Sequence, residues 1–434
     1  MTDSTADLTA AQASRQIASG ALTCEAYARA FLERIETLDP EVRAFTWVDR
    51  ARVLAAARER DRELRRGPLH GIPFAVKDVI DTEDAPTQHN SPIHQGRRTL
   101  QDAHCVAVLR ASGAVMLGKT DTLEFAAGGR RPLTRNPRDL SRTPGGSSSG
   151  SGAAVAAKMA PLALGTQTGG STIRPAAFCG VHGMKPTLSR ISFEGTKHYS
   201  HHLDTIGLYG RCVEDLWLMC AAYRIVDASE LQRPDERTLR VGLWPTPLWS
   251  EADADAQRAL DAAAALFSKA GVQIVPVTLS ERFDSLTDAQ DALMHEGGRA
   301  AFLPEYLTRR DLLHPDFVEK VENRRGYTAE RMRAALDLVS DCRREFEASF
   351  GRYDAVMTLS APGEATPGLT SQGLANFNRM FTAMGVPCVS LPGMLGDDGL
   401  PIGIQLIERR YEDERLLRVA AALSPLLIEQ GISR

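Results

Sequence analysis

Nothing in this chain reaches about eighteen consecutive apolar residues, the length a membrane-crossing helix needs, so no membrane span is expected. The opening residues, MTDSTADLTAAQ, hold neither the basic nor the apolar region of a secretion signal. Basic residues are not in excess: 51 Lys and Arg against 55 Asp and Glu give a formal charge of −4. That balance removes the electrostatic reason to expect a nucleic acid or an anionic membrane as partner. Cysteine is sparse, seven in 434 residues, with no C-x-x-C pair and no metal-ligand spacing. Free thiols in a reducing, cytoplasmic compartment are the simple reading, with no metal site. No internal repeat is apparent, and none of the ten histidines falls in a triad signature. What is present is ordinary for a soluble globular chain, 43% hydrophobic and 24% charged. The length allows one large α/β domain or two to three smaller ones, each with a substantial core.

The informative stretch is Pro144 to Thr187, PGGSSSGSGAAVAAKMAPLALGTQTGGSTIRPAAFCGVHGMKPT. Two Gly-Gly-Ser clusters end at Ser147 and Ser171, 24 residues apart. Between them, Ala153–Ala157 reads as a buried helix and Leu162–Gly165 as a buried strand, with a second helix beginning near Pro175. Facing each other across one helix and one strand, the clusters place two hydroxyls and several backbone N–H groups around one point. Glycine lets a backbone or a ligand come close. A serine needs a neighbouring base to become a nucleophile. GIPFAVKD supplies one: Lys77 follows Ile72–Val76, an apolar run that reads as a buried strand. Desolvation disfavours the ammonium, so an amine there can accept a proton near neutral pH.

Two literal motif matches fail on context. Gly113–Thr120 fits G-x-x-x-x-G-K-S/T, yet its intervening residues Ala114–Leu117 are themselves strand-like and Ala103–Ser112 reads as an amphipathic helix. A phosphate-cradling loop follows a strand instead of being one. Gly146–Gly150 fits G-x-S-x-G, but polar Arg135–Gly145 before it is no strand, so a nucleophile elbow is not expected. The bland alternative, a flexible linker, leaves the apolar segments on both sides unexplained.

Along the rest of the chain, residues 8–66 read as helical, with Gly20 ending the first helix and Thr23 capping the next. Ala44–Val48 is β-prone. A helix over Arg50–Arg66 ends at Gly67-Pro68, and its RERDRELRR run is read as a solvated face. Strands are expected at Leu239–Leu243, Val272–Val277, Tyr353–Leu359, Cys388–Pro392 and Ile402–Ile407, with helices over residues 215–240 in part and Ala254–Ala270. Residues 285–350 read as a charged helical cap over the pocket. His198, His201, His202 and His295 read as surface or hydrogen-bonding residues; adjacent His201 and His202 on a strand would point apart.

GIPFAVKD, GGSSSGS, GTQTGGSTIRPAAFCGVHGMKPT and the late GVPCVSLP…GLPIGIQLI, in that order, resemble the amidase signature family of Ser–Ser–Lys hydrolases, from about Leu8 to the C-terminus. The resemblance implies one α/β domain over residues 1–434, a mostly parallel mixed sheet flanked by helices. It implies Ser171 as nucleophile, Ser147 as bridging serine after a cis Gly146–Ser147 peptide, and Lys77 as base. Amides of Thr168, Gly169, Gly170 and Ser171 would form the oxyanion nest, the two glycines suiting unusual dihedrals. Gln167 stands where the family often has Asp, and the arginine comes three residues after the serine instead of two. The spacing Gly-Gly-Ser-x-Ile-Arg-Pro, with Tyr199-Ser200 and Asp204-Thr205, is similar to the malonamidase subgroup, where the matching arginine grips a substrate carboxylate. Arg174, Gly146 and Tyr199 are then candidate substrate contacts, Arg174 being alternatively a structural ion pair. The implied reaction is hydrolysis of a small-molecule amide without cofactor, favouring substrates with a second carboxylate; the assembly is left open, with a homodimer among the expectations. The alternatives are a same-family hydrolase of aryl amides, esters or carbamates, a member of a multi-protein transamidation complex, and a non-catalytic binder.

Overall fold

Capping chemistry sets the first helices of the computed structural model, which describes residues 5–227 and 230–431. Thr9 accepts from the Gln12 amide while the Gln12 side chain accepts from Thr9, a capping box that opens α1 (Ala10–Ser19). Gly20, at φ 75°, closes it. Thr23 caps α2 (Cys24–Val42), β1 (Phe45–Val48) follows, and Asp49 caps α3 (Arg50–Arg62). α3 stops at Arg62, short of the expected Arg66. Buried His70 explains this: its Nε2 lies 2.9 Å from Arg60 O and its Nδ1 accepts from the Arg66 amide. The Arg/Glu run is otherwise the solvated face expected, with ion pairs Arg58–Glu25 and Arg60–Glu63 at 2.8 Å. Residues 1–4 of the expected N-terminal segment lie outside the described residues.

The chain continues through β2 (Pro73–Lys77), α4 (His104–Ala111) and β3 (Val115–Thr120). The phosphate-loop look-alike is therefore a buried strand, as expected. Lys119 points inward, donating to Ile80 O at 2.8 Å and Thr87 Oγ1 at 2.5 Å. Then come α5 (Ser149–Ala156), β4 (Leu162–Gln167), α6 (Ile173–Cys179), β5 (His182–Lys185), β6 (Thr205–Gly210) and α7 (Val213–Ala222). Next are β7 (Arg240–Leu243), α8 (Ala254–Lys269) and β8 (Gln273–Pro276). The expected helical region resolves into α9 (Leu286–Ala301), α10 (Leu303–Arg309), α11 (Pro315–Val321) and α12 (Ala329–Ser349). The last elements are β9 (Ala355–Leu359), α13 (Asn376–Met384), β10 (Cys388–Leu395), β11 (Pro401–Ile407) and α14 (Asp413–Gly431).

All eleven strands of the described residues form one mixed sheet, ordered β1-β3-β2-β4-β6-β5-β10-β11-β9-β7-β8 and flanked by helices. This is the α/β architecture expected, with one correction. Four neighbouring pairs are parallel (β2–β3, β2–β4, β7–β8, β7–β9) and six are antiparallel, so the sheet is not mostly parallel. Crossover helices α4 and α8 supply the parallel wings. Reversals such as the short β10–β11 connection need no crossover and build an antiparallel centre. In β5, Gly183 sits against Ala176 of α6 while Met184 meets Cys220 of α7. Successive side chains point to opposite faces, so α6 and α7 cover opposite sides of the sheet. Beyond this core, α9 buries Leu286, Ala289 and Leu293 in a second apolar cluster with Val339, Phe346, Met380 and Phe381 of α12 and α13. No helix among the described residues is long and apolar enough to cross a membrane.

The first turn of α5 passes so close to β1 and β3 that a methyl on Gly150 would meet the backbone at Ala44 O and Asp121 N. Backbone cannot swing aside as a side chain can. Gly150→Ala should therefore cost about 1–3 kcal/mol or more of unfolding free energy, read from urea midpoints.

Candidate active site

Lys77 is the last residue of β2 and its side chain is fully buried. Its Nζ donates to Ser147 Oγ at 2.7 Å, Ser148 Oγ at 3.0 Å and Thr166 Oγ1 at 2.7 Å. No carboxylate pairs with it among the described residues. Burial holds the amine well below the ordinary lysine range; the more distant Asp204 charge opposes this and Arg174 adds to it. An uncharged amine has two N–H donors and one lone pair. Ser148 sends its own proton to Thr166 O at 3.2 Å, so it can only accept from Lys77. The Ser147 hydroxyl has no other acceptor among the described residues and is free to aim its proton at the lone pair.

The Gly146–Ser147 peptide is cis, as expected, and follows Gly145 at φ 79°. Both Ser147 and Ser148 are buried. Ser149 Oγ closes the turn by donating to Gly145 O at 2.7 Å. Thr166 and Ser148 lie within the two serine clusters, but the sequence reading gave neither a role. The available signal was the register of β2 on β4, which sets Val76 beside Leu164 and so brings the end of β4 to the end of β2.

The second Gly-Gly-Ser cluster leaves β4 at Gln167 and enters α6 at Ile173. Gln167 Oε1 accepts the Thr172 and Ile173 amides at 2.9 and 3.0 Å, which turns the chain into the helix. Within the described residues, no backbone N–H of Thr168, Gly169, Gly170 or Ser171 donates a hydrogen bond. The loop is anchored by other groups instead. Gln290 of α9 donates to Thr168 O at 2.8 Å, Thr382 of α13 donates to Gly169 O at 2.6 Å, and Thr168 Oγ1 donates to Asp204 at 2.6 Å. The expected unusual dihedrals are absent, since neither Gly169 nor Gly170 has positive φ. Gly170 is glycine because a Cβ would strike Asn378 Oδ1, whereas a Cβ on Gly169 would make only ordinary contacts, with Ala375, Gln290 and Arg379 at 3.9–4.0 Å. Ser171 is partly exposed, and its hydroxyl makes no hydrogen bond among the described residues. Its backbone carbonyl accepts from Tyr209 Oη at 3.2 Å and from the Ser148 amide at 3.4 Å. The two serine clusters thus meet through main chain.

Arg174 is buried and spends both terminal amines on backbone: one donates to Gly373 O at 2.6 Å, the other to Gly146 O. No carboxylate pairs with it, so the ion-pair alternative has no partner among the described residues. Tyr199 is buried and stacks on Phe302 with centroids 5.5 Å apart. Its amide and that of Ser200 donate to Asp204 at 2.8 and 2.9 Å, tying this segment to the Thr168 loop. His201 and His202 lie in a turn, not on a strand, and both are exposed. His295 is buried on α9. Among the described residues, no His/Cys/Asp/Glu group is placed to hold a metal. Cavities of about 650 and 690 Å³ open elsewhere, around Arg190 and Trp217, and touch none of these residues.

The family profile described as Amidase matches residues 26–417. The chain belongs to the amidase family. This amidase is 33% identical to a glutamyl-tRNA(Gln) amidotransferase subunit from Roseiflexus castenholzii, over 96% of its own length and 95% of the relative's. It is 34% identical to the corresponding subunit from Symbiobacterium thermophilum, over 98% and 99%. The first of these alignments runs over 471 positions, more than the 434 residues present here, so the relative carries insertions. Among solved structures, the native peptide amidase of Stenotrophomonas maltophilia superposes with a TM-score of 0.80 at 29% identity, covering 97% of both chains.

Holding Lys77 uncharged costs stability while the unfolded chain would protonate it. That cost is present below the unfolded pKa and vanishes as pH rises toward the ordinary lysine value of 10.5. Lys77→Met removes it. Measured by urea unfolding across a pH series, the stability of Lys77→Met relative to the native chain should decline as pH rises from 7 toward 10.5.

Proposed function

We propose that this amidase-family enzyme hydrolyses a small-molecule amide through an acyl-enzyme on Ser171, with Ser147 and Lys77 relaying the proton. One observation carries the reading: a buried amine bonded, among the described residues, only to hydroxyls, 2.7 Å from Ser147. Such an amine is a base without a competing carboxylate. Neutral Lys77 accepts the Ser147 proton as Ser147 accepts that of Ser171. Ser171 Oγ attacks the amide carbon. The carbonyl oxygen gains charge and turns toward the amides of the Thr168–Ser171 loop, none of which donates to another group among the described residues. The proton returns along the relay to the leaving nitrogen, the C–N bond breaks, and water then releases the acid by the same path reversed.

The likeness to malonamidase rests on the Gly-Gly-Ser-Thr-Ile-Arg-Pro spacing, and a second carboxylate on the substrate is part of this proposal. Esters, carbamates and aryl amides suit the same residues, and a substrate panel separates them. A second reading has its own support: relatives at 33–34% identity across nearly the whole chain are amidotransferase subunits. On that reading the purified chain would hydrolyse glutamine best and co-purify with partners. A preference of the isolated chain for small amides over glutamine supports the hydrolase.

Fluorophosphonate treatment followed by intact and peptide mass spectrometry should place one adduct on Ser171. Ser171→Ala should lose it and lower kcat by roughly 10⁴-fold or more. An adduct elsewhere, or turnover unchanged in Ser171→Ala, overturns the mechanism. Because the base works uncharged and Lys77 titrates below the ordinary 10.5, kcat/KM should rise with pH along an acid limb and level off once the amine has lost its proton.

A further inference from the structure

The main chain around Ser147 is held from two sides. Arg174 takes the Gly146 carbonyl, and the Leu123 amide donates to Ser147 O at 3.3 Å. A little further on, the Gly150 amide donates to Asp121 O at 3.0 Å. The loop leaving β3, residues 121–130, is thus bonded to the serine turn at two points. Its far end meets the outer helices. Phe125 is fully buried and stacks on Phe302 and on Phe317 of α11, with centroids 5.6 and 5.1 Å apart. The Gly129 amide donates to Asp316 Oδ2 at 2.9 Å. Arg130 Nη2 donates to Leu312 O, between α10 and α11, at 3.2 Å. Buried Glu124 closes the loop on itself, accepting from the Arg130 amide at 2.9 Å and from Arg130 Nη1 at 2.7 Å. A Cβ on Gly129 would strike both Glu124 Oε2 and the Phe317 ring, so no slack separates loop from helix.

The backbone inside this loop is strained. Phe125 and Ala126 stand at φ 51° and 60°, two consecutive side-chain-bearing residues in the left-handed region. A Cβ disfavours that region, and a residue stays there when its surroundings enforce it. Phe302 and Phe317 are among the groups that enforce it here. We propose that this loop transmits the seating of α10 and α11 to the relay serine Ser147, with Arg130 as the positioning residue at the joint. This rests on the hydrolase reading above, in which Ser147 passes the proton. The Arg130 guanidinium bonds to Glu124 and Leu312 and to none of Lys77, Ser147 and Ser171, so it acts on the chemistry only through the loop.

The rate at which a fluorophosphonate labels Ser171 reads the relay without a substrate. Arg130→Met should lower that rate roughly 10-fold or more, since a small displacement of a reacting group is costly, and Arg130→Lys should recover part of it. In a Ser147→Ala background the same Arg130→Met change should lower the remaining rate by less than about threefold, because the residue it acts through is gone. Equal losses in both backgrounds, or no loss in either, overturn the proposal. Hydrogen exchange followed by mass spectrometry reads the joint directly. Peptides covering residues 121–126 and 145–152 should exchange faster in Arg130→Met, while those covering β7 and β8 stay native. Unchanged exchange at the loop and turn, or faster exchange everywhere, also overturns the proposal. A native chain that takes no label on Ser171 but shows the expected exchange pattern would instead reject the hydrolase reading and leave the coupling standing.

Discussion

A lysine amine sealed from water among three hydroxyls is the constraint to which the surrounding structure answers. Burying an ammonium without a counter-ion is expensive enough that the group gives up its proton instead. The sheet makes that possible. β2 lies between β3 and β4, so the end of β2 emerges where neither solvent nor a carboxylate reaches Lys77. Thr166, at the matching end of β4, and the Ser147–Ser148 turn supply its polar company. Ser148 is itself held by backbone, its hydroxyl donating to Thr166 O and accepting from the Thr166 amide.

A second buried lysine shows that burial alone does not set the outcome. Lys119 lies one strand over, in register with Val76, and is also fully buried. Asp78 stands 3.5 Å from it, and main-chain carbonyl and Thr87 hydroxyl groups take its protons. Burial drives Lys119 down, Asp78 resists, and the balance settles at about 8. Lys77 has no such neighbour among the described residues, so the two buried amines differ in their surroundings by one carboxylate.

Much of this was legible in the chain itself, because the signals were local. The helix cap at Thr23, the left-handed Gly20, the buried run before Lys77 and the small-residue helix after Ser147 are set by nearest neighbours. What the sequence hid depended on distant partners. α3 ends early because His70, outside the helix, takes the Arg60 carbonyl in its last turn. Gly170 is fixed by Asn378, more than two hundred residues away, and not by its own dihedrals. The split of parallel and antiparallel pairs depends on which strands meet, which no local pattern encodes. Arg174 stands three residues after Ser171 in sequence and so draws attention, yet its partners are the distant carbonyls of Gly373 and Gly146.

The hydrogen bond from Gln290 to Thr168 O joins the outer helices to the inner loop. Its amide orientation is settled, since only the nitrogen can serve a carbonyl. Lineages diverging from such an ancestor could therefore rewrite most of α9 to α12 and acquire new preferences. At this one position, however, drift would slacken the loop, so a donor of similar reach should outlast the sequence around it.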